Sequence, residues 1–168
     1  MSIRRFALGI VVVLAGALLS APSAVSGGEP EQTTERAARL QTFLLLEVGT
    51  DNDGDGTEEQ ASRVVGKGAI HAMGKSVRLG PRRDRFVFPQ GNLVVRHKPL
   101  AGSEHESFDN ETCLFTFRER GTWRVVRGTG IYADARGHGR YRLRGYGIAC
   151  TFTHLFSSRV RAVGVLRF

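Results

Sequence analysis

The chain has 168 residues, 41% hydrophobic and 24% charged, a balance that fits one globular domain and excludes a wholly disordered chain or a polytopic membrane protein. Glycine reaches 21 residues, nearly twice its usual share of roughly 7% and without a three-residue period, so a turn-rich β protein is favoured over a helical bundle. The formal charge of +8 is unevenly placed: residues 27–111 carry 11 bases and 14 acids, whereas residues 112–168 carry 11 bases and 2 acids.

At the start of the chain Arg4 and Arg5 precede an apolar run from Phe6 to Leu19 and then the small residues Ser20 to Ser26. That order predicts a secretory signal peptide over 1–26, cut after Ser26, with a cut after Ala24 as the alternative. The run is shorter than the roughly 20 residues a membrane span needs. A secreted, extracellular or cell-surface protein with no stable membrane insertion after cleavage is expected. Residues 27–39 read as a polar arm, and residues 40–168 as the folded domain.

Within that domain, short runs alternate apolar and polar residues, the period-two signal of strands. The candidates are Arg39 to Val48, Arg63 to Ala72, Arg85 to Phe88, Asn92 to His97, Thr112 to Arg120, Thr122 to Arg127, Gly137 to Arg144, Ile148 to Phe156 and Arg159 to Leu166. Gln90-Gly91, Arg120-Gly121 and Ser157-Ser158 mark the expected tight reversals. The fold class predicted is all-β, a closed antiparallel β-barrel of about eight strands.

Parity along each strand sorts the side chains into faces. Cys113, Phe115, Phe117 and Glu119 share one face, and Cys150, Phe152, His154 and Phe156 share another. Leu93, Val95 and His97 form a third, while Arg140, Arg142 and Arg144 stand opposite Tyr141 and Leu143. Cys113 and Cys150 are the only cysteines, and in an oxidising compartment two cysteines in a small secreted domain usually pair. If they bond, their faces meet in a common interior lined by phenylalanines; a bond on the outside of the sheet would reverse that assignment. The sole tryptophan, Trp123, stands at the expected Arg120-Gly121 reversal, as core or as a ligand platform.

Gly128-Thr129-Gly130-Ile131-Tyr132-Ala133-Asp134-Ala135-Arg136-Gly137-His138-Gly139-Arg140-Tyr141 resembles the Gly-Thr-Gly-x-aromatic and Ala-x-Gly segment of the allene oxide cyclase and dirigent-like barrels. Asp84-Arg85-Phe86-Val87-Phe88-Pro89-Gln90-Gly91, followed by Leu93 to His97, resembles secreted actinobacterial-type members of that group. Arg127 departs from the pattern, in which a glycine commonly precedes Gly-Thr-Gly. The resemblance implies a barrel with an aromatic plug at one end and a shaped apolar cavity. It implies a cyclase, isomerase or dirigent-like role on an apolar or aromatic small molecule, and it carries over no catalytic residue.

Three residues stand out as candidate chemistry because they interrupt apolar faces: Glu119, His154 and His97. A carboxylate and an imidazole inside an apolar barrel form an acid/base pair, since burial and mutual charge move both toward neutrality. Phe86, Phe88, Phe115, Phe117, Trp123, Tyr132 and Phe152 are the candidate ligand-lining aromatics. Asp51, Asp53 and Asp55, with Gly56, open like a calcium loop, but the twelfth position is Ser62, so any Ca²⁺ site is a looser turn than an EF-hand. Glu104-His105-Glu106 lacks the second histidine of a zinc protease motif and reads as loop. No nucleophile elbow, phosphate loop or dinucleotide fingerprint is present.

The arginine-rich C-terminal half supports a second class of function. Arg118, Arg124, Arg140, Arg142 and Arg144 would form a face for an anionic envelope polymer or glycan, in a non-enzymatic module. No helix-turn-helix, zinc or RNA-binding signature accompanies them, so specific nucleic-acid binding is not expected.

Overall fold

The computed structural model describes residues 37–51, 59–150 and 153–168. Nine strands follow in order: β1 Arg39–Asp51, β2 Glu59–Gly68, β3 Ala72–Gly80, β4 Arg83–Phe88, β5 Gly91–Pro99, β6 His105–Asp109, β7 Leu114–Gly128, β8 Arg136–Cys150 and β9 Thr153–Arg167. All pair antiparallel in the order β5-β4-β3-β2-β1-β9-β8-β7-β6. A further pairing of β5 with β7 closes eight of them into a barrel, and β6 remains as an extra strand on β7. Closure removes the unpaired edges that an open sheet would leave.

Alternation decides which residues fill the barrel. Phe43, Leu45, Phe86, Phe88, Leu93, Val95, Trp123, Tyr141, Ala162 and Leu166 are all at most 6% exposed and form one core cluster. The faces expected for β5, β7 and β8 follow this parity, with Arg140, Arg142 and Arg144 exposed and Tyr141 buried.

Several expected boundaries are corrected. Arg120-Gly121 is no hairpin: β7 runs unbroken from Leu114 to Gly128, so Trp123 is a mid-strand core residue and Glu119 is not at a strand end. The glycine is there for space, because a Cβ at Gly121 would lie 2.4 Å from Tyr141 Cε1 on the paired strand. Ser157-Ser158 lies inside β9, where Ser158 is buried and faces inward. The segment read as one strand from Ile148 to Phe156 is instead the end of β8 and the start of β9. The strand placed at Arg63 to Ala72 ends at Gly68, and β3 and β6 are additional. The Gln90-Gly91 reversal does join β4 to β5.

One end of the barrel is plugged by the glycine-rich connection after β7. Thr129 and Asn92 exchange hydrogen bonds, Thr129 N to Asn92 O at 2.9 Å and Asn92 N to Thr129 Oγ1 at 3.0 Å. Gly130 has φ +61, and a Cβ there would lie 2.3 Å from Gln90 O. A side chain is excluded by both conformation and space. The single 3-10 turn Gly130–Tyr132 then drives Tyr132 inward against Phe88 and Phe168, with ring centroids 6.1 and 5.6 Å apart.

Candidate functional site

At the opposite end the inward stripes change from aromatic to ionisable. On β1 the series Phe43, Leu45 continues to Glu47; on β4 Asp84 precedes Phe86; on β5 Leu93, Val95 continues to His97; on β7 Glu119 lies two pairs of residues before Trp123. Strand parity therefore brings four titratable groups to one level of the barrel without any loop.

Three of them, with Tyr141 of β8, form two contiguous pairs. His97 Nε2 is 3.4 Å from Asp84 Oδ2, and the Tyr141 hydroxyl donates a short hydrogen bond to Glu119 Oε1. The rings of His97 and Tyr141 meet edge-on at 5.8 Å, which joins the pairs side by side. Arg78, reaching in from β3, lies 3.0 Å from Asp84 Oδ1 and 3.9 Å from Glu47 Oε1. Its Nε is close enough to Asp84 for an ion pair, yet Oδ1 has no well-aligned hydrogen bond. Glu47, 8% exposed, also accepts from Ser158 Oγ at 3.0 Å and Ser62 Oγ at 3.5 Å.

Electrostatics follow from this burial. Desolvation holds the Asp84 carboxyl above its ordinary value, opposed by the charges of Arg78 and His97 and reinforced by Glu47. Tyr141 is pushed far up by burial, then by its hydrogen bond to Glu119 and that carboxylate's charge. It therefore stays a proton donor at all ordinary pH. An acid whose proton is held toward neutrality beside an imidazole, next to a phenol on a carboxylate, can exchange protons with a molecule between them.

Below this crown lies a cavity of about 80 Å³. Its apolar wall is Phe43, Phe86, Trp123, Leu143, Val160 and Ala162, and its polar rim is Glu47, Arg78, Asp84, His97, Glu119 and Tyr141. The indole Nε1 of Trp123, buried in this wall, has no hydrogen-bond partner among the described residues. The volume is well under the roughly 300–1,000 Å³ of sites that swallow a whole drug-sized ligand, so it accommodates a small ring or chain end with the remainder at the rim.

The residues singled out from sequence divide accordingly. Glu119 and His97 come together here, bridged by Tyr141. The backbone of His154 pairs with Ala149 and Asp51, six residues along β9 from the row of Glu119 and so roughly 20 Å away; its side chain lies outside the described residues. Phe86 and Trp123 line the cavity, whereas Phe88 and Tyr132 belong to the plugged end. Phe115 and Phe117 stack at 6.0 Å on the continuation of β7 beyond the barrel, beside Phe108 of β6. Phe152, Asp53 and Asp55 lie outside the described residues, as does the side chain of Asp51. Among the described residues no cluster of three or more His, Cys, Asp or Glu has the arrangement to hold a metal ion. Glu104-His105-Glu106 is loop only at Glu104, since His105 and Glu106 open β6.

Asp84, Glu47, Arg78 and Tyr141 were not anticipated. The signal was present: Glu47 and Asp84 each interrupt an inward apolar stripe, by the same logic that singled out Glu119 and His97.

The fold and site define a closed antiparallel β-barrel, plugged at one end and bearing a small apolar cavity under an ionisable rim at the other. Comparison of the chain with protein-family models, curated proteins and solved structures finds no match.

Proposed function

We propose that the protein is a small-molecule-binding β-barrel of the allene oxide cyclase and dirigent-like type, acting on an apolar or aromatic substrate as a non-covalent cyclase or isomerase. The observation that carries this reading is the contact of two proton-exchanging pairs, Asp84 with His97 and Tyr141 with Glu119, over an apolar cavity. Such a reaction needs a site that folds the substrate and a donor and acceptor at the reacting carbons. The apolar wall performs the first task, and the pairs perform the second. Asp84 or His97 delivers a proton while Glu119, relayed by Tyr141, receives one.

We also propose that Cys113 and Cys150 are disulfide-linked and that the protein is secreted. Ala149 N donates to Cys113 O at 3.0 Å, which sets the Cys113 backbone beside the end of β8, next to Cys150. The φ of +56 at Cys113 is unusual for a residue with a side chain, and such a conformation persists where surrounding structure holds it.

Native mass spectrometry of the purified protein tests the function. A co-purified organic mass, lost in Ala162→Leu, which fills the cavity floor, is expected. The absence of any bound mass, together with no binding from a panel of small cyclic and aromatic carbonyl compounds, would overturn the reading.

A further inference from the structure

The outside of the barrel carries a second pattern, independent of the cavity. On β7, β8 and β9 the register aligns Arg118, Arg144 and Arg159 in one cross-strand row, and Arg120, Arg142 and Arg161 in the next. All six are exposed. Neighbouring strands lie about 4.8 Å apart and same-face residues about 6.7 Å along a strand, so six guanidinium stems rise from a patch roughly 10 by 7 Å at its base.

Like charges placed directly opposite one another destabilise a sheet, and no carboxylate among the described residues pairs with them. β8 and β9 contain no acid, and the one acid of β7, Glu119, faces inward. None of the six lies within 4.0 Å of a carboxylate oxygen among the described residues. The chain's general use of arginine in place of lysine explains the residue type but not this alignment. A local rule broken on an exposed face marks a binding surface.

The rest of the same wall indicates what binds. Continuing outward along the strands, the next row contains Thr116 and Tyr146, and the one beyond it Leu114, Ile148 and Leu155. Tyr146 is 64% exposed and the three aliphatic residues 43–47%. The row continues from Leu155 through Thr50 to Glu59, and at its other end Asp109 on β6, opposite Leu114, is turned to the backbone N–H groups of Glu111 and Thr112 at 2.9 and 3.3 Å. Apolar row, tyrosine, arginines is the order met on leaving a bilayer from hydrocarbon through interface to phosphate. The aliphatic row stands roughly 13 Å along the strand from the first arginine row, a gap that long arginine side chains shorten by reaching toward the phosphates.

We propose that the outer wall of β7, β8 and β9 docks peripherally on an anionic phospholipid surface. The arginines contact headgroup phosphates, and Leu114, Ile148 and Leu155 enter the interface. A linear polyanion would use the arginine rows but leave the aliphatic row idle.

Vesicle co-sedimentation of the purified protein near physiological salt tests this. Binding to phosphatidylcholine vesicles containing about one-third phosphatidylglycerol is expected, with little binding to phosphatidylcholine alone. Arg142→Gln with Arg144→Gln should weaken it about 25-fold, at roughly five-fold per arginine near an anionic surface. Ile148→Ser with Leu155→Ser should weaken it several-fold, while Lys75→Gln, elsewhere on the barrel exterior, should leave it within two-fold. Equal binding to both vesicle types would overturn the proposal. So would binding that soluble polyphosphate abolishes and the Ile148→Ser, Leu155→Ser variant leaves unchanged, an outcome that assigns the face to a linear polyanion.

Discussion

The two ends of the barrel are built from the same strands and differ in what their inward stripes carry. At the plugged end, Phe88, Tyr132 and Phe168 meet ring to ring, and the one deeply buried polar side chain, Gln41, is satisfied by Ile70, with Ile70 N to Gln41 Oε1 at 2.8 Å and Gln41 Nε2 to Ile70 O at 3.3 Å. At the rim, Glu47, Asp84 and Glu119 line the cavity beside Arg78, and Arg82 and Glu104 act on Tyr141 as well, with the Asp84 carboxyl held above its ordinary value and an indole N–H left without a partner among the described residues. Stability resides at the first end. The second tolerates unfavourable burial of charge, as binding and catalytic sites do.

Substitutions on both sides sharpen that contrast. The largest effect is expected from Tyr132→Ala, which empties the plug. A loss of about 3–5 kcal/mol, typical of truncating a buried aromatic, should appear in denaturant unfolding while the rim chemistry persists in whatever fraction stays folded. Tyr141→Phe removes a hydrogen bond to a charged acceptor that is only partly buried, so about 1 kcal/mol is expected. Its main effect should instead be on turnover, by cutting Glu119 off from the substrate. A stability loss for Tyr141→Phe as large as that for Tyr132→Ala would break the distinction between the ends.

The smallest effect concerns pH. Because burial raises the Asp84 carboxyl in the folded state, its contribution to stability is present below its ordinary value of 3.8 and is lost as pH rises through the raised value. Arg78, His97 and Glu47 all face this group and share in the balance. The difference in melting temperature between wild type and Asp84→Asn should therefore shift in favour of the variant as pH rises across that window. A difference that stays constant, or runs the other way, would mean that Arg78 outweighs burial.

Much of the barrel is legible in the sequence because most inward stripes are apolar. Leu93, Val95 and His97, the β7 stripe through Phe117 and Glu119, and the arginine alternation of β8 are each set by parity alone. β3 is not legible, since its pattern is inverted: Ala72, Gly74 and Ser76 face inward, while Met73, Lys75, Val77 and Leu79 are exposed. β6 is short and exposed throughout, so it carries no alternation to read. Gly121 and Ser158 imitate turn residues for other reasons, one making room for the Tyr141 ring and the other donating to Glu47. Of the six rim residues, Glu119 and His97 were visible as charges within apolar stripes. Each pair sits on neighbouring strands, Asp84 with His97 on β4 and β5 and Glu119 with Tyr141 on β7 and β8, but the contact of His97 with Tyr141 that joins them depends on barrel closure, which brings β5 against β7 and which no local pattern encodes.

Trp123 offers the most direct measurement. It is the only tryptophan, so its indole N–H gives a single resonance, and it lies in the cavity wall without a hydrogen-bond partner among the described residues. In a titration with a small cyclic or aromatic carbonyl compound followed by ¹⁵N NMR, the account predicts that this resonance moves in the wild type and stays still in Ala162→Leu. A stationary indole signal, with shifts confined to residues around Phe115 and Phe117, would contradict it.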